Sequence, residues 1–186
     1  MIFRAVEDAD LISRVRLGDV EAFNALISRW EKRVFNYLLR LTASREDALD
    51  LSQDVFLKAY QNIRKLDDAA RFGPWLYRIA HNEAYSHFRR RRPETALPET
   101  ADFERAAAAA AGPVFPTDLS LAVTAALDRL TPEQREAVVL KVYEGFKFEE
   151  MAEVLDAPVS TVKSRLYSAL EVLKDVLAPI PVRGAK

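Results

Sequence analysis

The sequence predicts an all-α protein composed of two small domains. Apolar residues recur at helical spacing, and no stretch alternates apolar and polar residues over more than a few positions, as a half-buried strand would. Residues 93–117 are rich in proline and alanine and have few large apolar side chains, so they cannot bury enough surface to offset their ordering entropy. We therefore interpret 93–117 as a linker between an N-terminal domain, residues 1–92, and a C-terminal domain, residues 118–186.

Three helices are predicted in the N-terminal domain. The first buries the face on which apolar residues recur from Phe23 to Leu41. Ser44 is suited to cap the second helix, because its oxygen can accept a bond from an unpaired backbone N–H. The third helix begins near the Gly-Pro pair at 73–74, since proline is tolerated in the first turn, and runs to about Arg92.

The C-terminal domain is predicted to begin with a helix from about Leu119 to Leu130. Thr131 then caps another helix. Pro132 suits the first turn of that helix, and Gln134 can complete a capping box.

Two further helical segments, 148–155 and 159–173, are separated by only three residues, which is the spacing of a helix-turn-helix. The inward-facing residues of the second segment are predicted to be Val162, Leu166, Ala169, Leu170 and Leu173. Polar and basic residues collect near its N-terminal end: Ser160, Thr161, Lys163, Ser164, Arg165 and Tyr167. A recognition helix places that end against bases and phosphates, whereas a plain helical hairpin would leave it solvated. The absence of acids from 159 to 170 favours DNA recognition.

The net charge of −1 conceals an uneven distribution. Residues 64–92 hold eight Lys/Arg and three Asp/Glu, whereas residues 94–120 hold one Lys/Arg and five Asp/Glu. A nucleic-acid partner remains compatible with the sequence, because binding depends on local charge.

On a helical wheel the third helix has two different faces. The predicted core face consists of Leu76, Ile79, Ala80 and Ala84. The other face consists of Trp75, Arg78, Asn82, Tyr85, Arg89 and Arg92. Its rings, amide and guanidinium groups offer base stacking, edge hydrogen bonds and phosphate neutralisation, which suits opened nucleic acid. The alternatives are that the rings belong to the core, or that the helix lies on an acidic membrane.

A mixed acidic and apolar patch is predicted on the second helix. Asp47, Asp50 and Asp54 recur at helical spacing beside apolar residues. Such a patch is either a solvated face or a docking surface for a basic partner helix.

Composition excludes several functional classes. The chain has no cysteine and two histidines, so disulfides and cysteine- or histidine-built metal sites are not expected. No segment approaches the roughly 20 apolar residues that span a bilayer, and no signal peptide is recognisable, so we expect a cytoplasmic protein without membrane insertion. Neither a nucleophile–base pair nor a phosphate-binding loop is recognisable, and we expect neither an enzyme nor a cofactor.

Three segments, in this order, resemble the extracytoplasmic-function (ECF, group IV) sigma factors of bacterial RNA polymerase, the smallest members of the sigma-70 family. DALDLSQDVFLKAYQNI is similar to their region 2.2, and RFGPWLYRIAHNEAYSHFRRRR to their regions 2.3 and 2.4. LTPEQREAVVLKVYEGFKFEEMAEVLDAPVSTVKSRLYSAL is similar to their region 4. The resemblance covers nearly the whole chain except the linker.

The resemblance implies a sigma-2 helical bundle and a sigma-4 helix-turn-helix domain that bind core RNA polymerase through its β′ and β subunits, recognise −35 and −10 promoter elements and promote melting. Region 2.2 would dock on β′ through Asp47, Asp50, Leu51, Gln53, Asp54 and Phe56. The −10 element would be contacted by Arg71, Phe72, Trp75, Arg78, Asn82, Tyr85 and Arg89. The −35 element would be contacted by Ser160, Thr161, Lys163, Ser164 and Arg165, with Arg135 on phosphate.

An anti-sigma factor is also implied; it would occlude the polymerase-binding surfaces and could hold the otherwise nucleoid-associated protein at the membrane.

Asp156 and Ser160 stand where the family often has glycine, but aspartate tolerates positive φ and the turn is expected to form. Pro74 stands where the family often has threonine or serine, and His81 stands where it often has arginine. The rival hypotheses are a helix-turn-helix regulator that binds duplex DNA without polymerase, and a decoy that sequesters an anti-sigma factor.

Overall fold

The structure is a computed structural model that describes residues 7–91 and 125–177. Every regular element in these two ranges is helical, which confirms the predicted fold class. The linker 93–117, Arg92 and the start of the helix predicted at Leu119 lie outside the described residues.

Four helices form the described part of the N-terminal domain: α1 (Asp8–Arg16), α2 (Val20–Thr42), α3 (Arg45–Asn62) and α4 (Phe72–Arg91). Two 3-10 turns, Ile63–Lys65 and Ala69–Arg71, connect α3 to α4. Helix α1 is missing from the sequence prediction, because a helix this short with three buried residues gives a weak periodic signal.

The ends of α2 and α3 follow from local chemistry. Asp19 caps α2 by accepting a hydrogen bond from the backbone N–H of Ala22 at 3.1 Å. Ala43 ends α2 in the left-handed conformation, with a φ of 53°. Ser44 caps α3 as predicted, because its hydroxyl accepts a bond from the backbone N–H of Asp47 at 3.2 Å.

The C-terminal domain contains α5 (Pro132–Val138), a π-helical turn (Val139–Tyr143), α6 (Phe148–Val154) and α7 (Val159–Leu177). The predicted capping box is present: Thr131 accepts from the backbone of Gln134 at 3.3 Å, and Gln134 accepts from the backbone of Thr131 at 3.0 Å. The predicted helix-turn-helix is the pair α6 and α7. Asp156, in its turn, has a φ of 47°, the conformation for which glycine is usually chosen.

The two domains pack against each other and share one apolar core. Tyr77 of α4 is fully buried, and its ring lies edge-on to Phe146 of the C-terminal domain, with 5.0 Å between ring centroids. Gly73 is needed at this junction, because a Cβ there would approach the Trp30 ring to 2.9 Å and the Phe146 ring to 3.7 Å. The start of α4 is therefore packed between α2 and the C-terminal domain.

Candidate nucleic-acid interface

Helix α4 buries one face, as predicted, although two residues differ from the predicted assignment to core or surface. Leu76, Ala80 and Ala84 are fully buried, while Ile79 is only half-buried. Phe72, which was predicted to contact DNA, is 2% exposed and packs edge-on against Trp30 with 5.6 Å between ring centroids. It is therefore a core residue here, because the start of α4 turns that ring toward α2.

The other face of α4, together with the residue before the helix, forms what we name the α4 stripe: Arg71, Trp75, Arg78, Asn82, Tyr85 and Arg89. The three arginines and the asparagine are exposed, and the two aromatic residues are half-buried. The Tyr85 ring packs on His81, with 4.4 Å between ring centroids. The stripe thus offers cations and an amide to solvent and part of each aromatic ring, which is the chemistry predicted for it.

Acidic side chains of the C-terminal domain lie along the α4 stripe. Arg71 forms an ion pair with Glu153 of α6. Arg78 Nη2 lies 3.5 Å from Asp156 Oδ1, in the turn of the helix-turn-helix. Two of the arginines predicted to contact DNA therefore meet carboxylates of the same chain.

A buried carboxylate, Glu136 of α5, lies deeper in the same interface. Its side chain is 1% exposed; it accepts a hydrogen bond from the Tyr37 hydroxyl, and its Oε1 lies 2.7 Å from His81 Nδ1. Burial, followed by the nearby Glu136 charge, raises the pKa of Tyr37 and also that of Tyr85. Both tyrosines consequently stay protonated well above the pH at which a solvated tyrosine ionises.

A second buried carboxylate, Glu144, joins α2 and α4 to the C-terminal domain. Its side chain is 4% exposed, accepts a hydrogen bond from the Tyr77 hydroxyl at 2.5 Å, and lies 3.2 Å from Arg33 Nε. Arg33 also donates to the Glu144 carbonyl at 3.2 Å. Burial and then the bond to Glu144 raise the pKa of Tyr77. These bonds supply the polar partners that a carboxylate needs once it has left water.

Of the residues predicted to form the docking patch on α3, some are exposed and others belong to the core. Asp50, Gln53 and Asp54 are exposed, but Leu51 and Phe56 are 3% and 9% exposed and belong to the core. Asp47 is half-buried, with Oδ1 3.5 Å from His87 Nε2. Leu51 and Phe56 were predicted to dock a partner, but α3 turns them toward the bundle, so they support the surface from beneath it.

An apolar groove of about 800 Å³ runs between α2 and α3 beside this patch. Its lining residues include Phe23, Phe35, Leu49, Gln53, Phe56, Leu57 and Tyr60. Leu49, Leu57 and Tyr60 are 44%, 56% and 42% exposed and line the same groove, and apolar side chains grouped in this way indicate an interaction site. The sequence analysis missed them, because on α3 alone they look like irregular outliers and only α2 makes them one wall of a groove.

The N-terminal end of α7 is exposed as the helix-turn-helix prediction requires. Ser160, Lys163 and Ser164 are exposed, while Thr161 and Arg165 are half-buried. Three of the predicted inward residues, Val162, Leu166 and Ala169, are buried. Leu170, however, is 43% exposed, and Leu173 is half-buried against the core.

Arg135 differs from its prediction. Its guanidinium donates from Nε to the Leu127 carbonyl at 3.1 Å, and its Nη2 lies 3.2 Å from Asp128 Oδ1. The residue is 3% exposed, and burial lowers its pKa while Asp128 opposes that shift. In this arrangement Arg135 fastens the turn before α5 and does not face solvent, so we do not keep it as a phosphate contact.

A three-ligand metal site and a membrane-spanning helix are both absent from the described ranges. Among residues 7–91 and 125–177, no three His, Cys, Asp or Glu side chains come together in a way that could hold a metal ion. In the same ranges, no helix has the length and apolar character needed to cross a membrane.

Comparison with known families identifies the chain. The family model of sigma-70 region 2 matches residues 26–94, and that of sigma-70 region 4 matches residues 120–173. The chain belongs to the sigma-70 family. The first match includes α3 and α4, and the second includes the helix-turn-helix, so both candidate DNA-binding surfaces of this sigma factor lie in matched regions.

Curated relatives place this sigma factor among the ECF members of the family. It is 34% identical over 183 residues to the ECF RNA polymerase sigma-E factor of Haemophilus influenzae, with 93% of this chain and 96% of the relative covered. It is 30% identical over 191 residues to the RNA polymerase sigma-H factor of Pseudomonas aeruginosa, with 94% and 95% covered.

Solved structures show the same fold. CnrH, solved in complex with the cytosolic domain of CnrY, is 26% identical with a TM-score of 0.68, and the match covers 92% of this chain and 97% of CnrH. The sigma factor RpoE of Bartonella quintana, solved in complex with the anti-sigma factor NepR, is 24% identical with a TM-score of 0.65. That match covers 84% of this chain and 97% of RpoE.

Proposed function

We propose that this sigma factor binds bacterial core RNA polymerase, directs it to promoters through −35 and −10 elements, and promotes DNA melting. The observation that carries the proposal is the match to both sigma-70 regions, in chain order, over the two domains. Family membership makes it a transcription initiation factor, and we infer that it acts by binding, without a catalytic step of its own.

We assign polymerase binding to the outer face of α3 and the groove beside it. Asp50, Gln53 and Asp54 are exposed there, and the groove adds the apolar side chains of Leu49 and Leu57. Acidic residues beside an apolar groove suit a basic amphipathic helix, which would lay its apolar side chains in the groove and its cations on the carboxylates. The β′ subunit is the partner that the family resemblance implies for this face.

Promoter contacts are assigned to two other surfaces. The α4 stripe would take the opened −10 strand, because its arginines suit phosphates and its half-exposed rings suit unstacked bases. The start of α7 would take the −35 element in the major groove, because Ser160, Lys163 and Ser164 are exposed there beside Thr161 and Arg165.

An anti-sigma factor is a further proposed partner. The supporting observation is that CnrH, which this sigma factor resembles over nearly its whole length, was solved in complex with the cytosolic domain of CnrY. We propose that the active protein is associated with the nucleoid. When bound, an anti-sigma factor anchored in the membrane would hold the sigma factor at the membrane.

The rival function, a regulator that binds duplex DNA without polymerase, would use only the helix-turn-helix. It leaves the region 2 match and the α2–α3 groove without a purpose. A gel-shift assay with and without core polymerase separates the two functions, because the regulator would retard duplex DNA alone.

The polymerase surface is tested with Leu57→Asp, which places a charge in the groove at a side chain that is 56% exposed. We expect core binding, measured by fluorescence anisotropy of the labelled sigma factor, to weaken about tenfold, as for loss of an interface anchor worth about 1.4 kcal/mol. Leu17→Asp is the matched control, because Leu17 is 88% exposed and does not line the groove. Equal affinities for the wild type and both variants would contradict the assignment.

A further inference from the structure

Two lysine side chains lie over the ring of Phe148, the first residue of α6. The ammonium of Lys163, on α7, is 5.2 Å from the ring centroid, and that of Lys141, in the π-helical turn, is 4.9 Å from it. At these distances the negatively polarised face of an aromatic ring attracts a cation. Phe148 is half-buried against the core, so the ring is a fixed support for both charges.

The two lysines differ in their other contacts. Lys141 is half-buried, and its Nζ also donates to the Phe146 carbonyl at 3.0 Å, so it fastens its own loop. Lys163 is exposed and is held by an uncharged ring. A ring leaves the charge of the ammonium in place, whereas Glu153 neutralises Arg71 in the α4 stripe. Lys163 therefore keeps its attraction for an anion.

The position of the Phe148 ring decides which part of the DNA Lys163 meets. In a helix-turn-helix the second helix sets its N-terminal residues against base edges, whereas the first helix crosses the phosphate backbone. Phe148 begins the first of these helices, so its ring draws the Lys163 ammonium from α7 toward α6. A cation on that side of α7 lies nearer the backbone than the base edges.

We propose that Phe148 is a positioning residue that makes Lys163 a phosphate contact of the −35 duplex and not a reader of base edges. The inference rests on the proposed function, because it takes the start of α7 to be the −35 surface. It goes beyond that function by giving a role to a residue of α6 that acts through Lys163. It also leaves base reading to the other exposed residues at the start of α7, Ser160 and Ser164.

The ring acts by ordering Lys163 before DNA arrives. A free lysine side chain loses rotamer freedom when it is fixed at an interface, and that loss weakens binding. The contact with Phe148 restricts the side chain in the unbound protein, so less freedom remains to be lost. Because the ring face uses none of the ammonium N–H groups as a conventional acceptor would, Lys163 can stay on the ring while it donates to a phosphate oxygen.

The test uses reconstituted holoenzyme and a promoter selected with it. Phe148→Leu removes the ring but keeps an apolar side chain, Phe148→Tyr keeps the ring, and Lys163→Gln removes the charge. Affinity is measured by filter binding at several salt concentrations. The titrations are repeated on promoters that carry single base-pair changes in the −35 element.

Lys163→Gln is expected to weaken binding by the same factor on every one of these promoters. The slope of log affinity against log salt concentration should fall in magnitude by about 0.9, as for the loss of one phosphate contact. A loss that depends on the identity of one −35 base pair would overturn the inference, because it is the signature of base reading.

Phe148→Leu is expected to weaken binding about two- to fivefold, within what the ordering of one long side chain contributes. Phe148→Tyr should restore most of that loss. When Lys163 is already Gln, Phe148→Leu should change the affinity by less than about twofold, because the group it positions is gone. Lys141→Gln is the matched control background, in which the two- to fivefold effect of Phe148→Leu should persist.

Two outcomes of this cycle would overturn the inference. An equal effect of Phe148→Leu with and without Lys163→Gln would show that the ring supports the whole helix-turn-helix and does not act through one lysine. An unchanged affinity in Phe148→Leu, together with weaker binding in Lys163→Gln, would show that Lys163 needs no positioning.

Nuclear magnetic resonance of the full chain with labelled lysine observes the contact directly. The ring current of Phe148 should shift the ε-methylene protons of Lys163 upfield, and the signal is assigned by its loss in Lys163→Gln. The shift should remain in Phe148→Tyr and disappear in Phe148→Leu. A wild-type protein without the shift would contradict the contact on which the inference depends.

Failure of the proposed function has a different signature. If neither Lys163→Gln nor Ser160→Ala with Ser164→Ala changes promoter affinity, the start of α7 has no −35 role, and the inference falls with it. Binding of the full chain to core polymerase tests the sigma function independently of these results.

Discussion

The two surfaces assigned to promoter DNA differ in what lies against them. Ser160, Lys163 and Ser164 at the start of α7 are exposed, whereas Arg71 and Arg78 of the α4 stripe face carboxylates of the other domain. Both surfaces look alike in sequence, as basic residues on one helix face. The difference shows that a run of positive charge indicates a surface able to bind DNA, but only the tertiary structure shows whether the same chain already occupies it.

The largest expected effect is at the exposed surface. Lys163→Glu should weaken −35 binding by the holoenzyme about 10- to 100-fold, because it replaces a groove or phosphate contact by a repelling charge, and one such contact contributes about 1–3 kcal/mol. The measurement is a filter-binding titration with a promoter selected by the reconstituted holoenzyme. Lys174→Glu, at the other end of α7, should leave the affinity unchanged; equal losses in the two variants would indicate a general electrostatic effect and contradict the assignment.

The next largest effect is expected on the α4 stripe. Asn82 is exposed on the α4 stripe, and Asn82→Ala removes an amide able to bond a base edge. We expect promoter opening, followed by permanganate reactivity of unpaired thymines, to fall about tenfold, which corresponds to about 1.4 kcal/mol. Core binding should be unchanged. Ser86→Ala is a control on the same helix, and loss of core binding together with opening would mean that Asn82 has a structural role.

A smaller effect is expected from alkaline pH. Burial together with Glu136 raises the pKa of Tyr37, and burial together with Glu144 raises that of Tyr77. The contribution of these tyrosines to packing between the two domains is fully present below the ordinary tyrosine pKa of about 10 and is lost as the pH rises toward the raised value.

The two domains should therefore separate as the pH is raised above 10, before the helices melt. Double electron–electron resonance measures the distance between nitroxides on Gln61→Cys and Ser168→Cys, which are both exposed in a chain that has no other cysteine. Circular dichroism at 222 nm on the same samples follows the helices. A short distance that persists until helicity is lost would show that these two hydroxyls do not control packing between the two domains.

The smallest expected effects concern two residues with positive φ. Ala43 and Asp156 have φ values of 53° and 47°, and glycine at either position would relieve a Cβ contact, raising the free energy of unfolding by up to about 1 kcal/mol. Urea titrations measure both gains. Asp156→Gly should also lengthen the interdomain distance, because it deletes the partner of Arg78, whereas Ala43→Gly should not. Identical effects of the two variants on that distance would contradict the role given to Asp156.

The features that the sequence predicted well are local ones. The Ser44 cap and the Thr131–Gln134 capping box each involve residues within a few positions of one another. Backbone groups left unpaired at a helix end must find partners nearby, so short patterns are sufficient to predict them. The fold class and the helix-turn-helix follow from the same kind of signal.

The features that it predicted poorly depend on contacts between distant residues. Phe72, Leu51 and Phe56 are core residues because of how α2 lies against α3 and α4, and helical spacing alone does not fix which edge of a face is covered. Tyr37 and Glu136 are 99 positions apart, and Arg33 and Glu144 are 111 apart. The count of charge by segment covered residues 64–92 and 94–120, so it left out Glu153 and Asp156, the acids that meet Arg71 and Arg78.

The central claim is that the α4 stripe binds opened promoter DNA. The most direct measurement is photocrosslinking from a benzophenone on Asn82→Cys, which is exposed and is labelled selectively because the chain has no other cysteine. The account predicts a crosslink to the single-stranded −10 DNA of an open promoter complex formed with core polymerase. A transcriptionally competent open complex without that crosslink would contradict it.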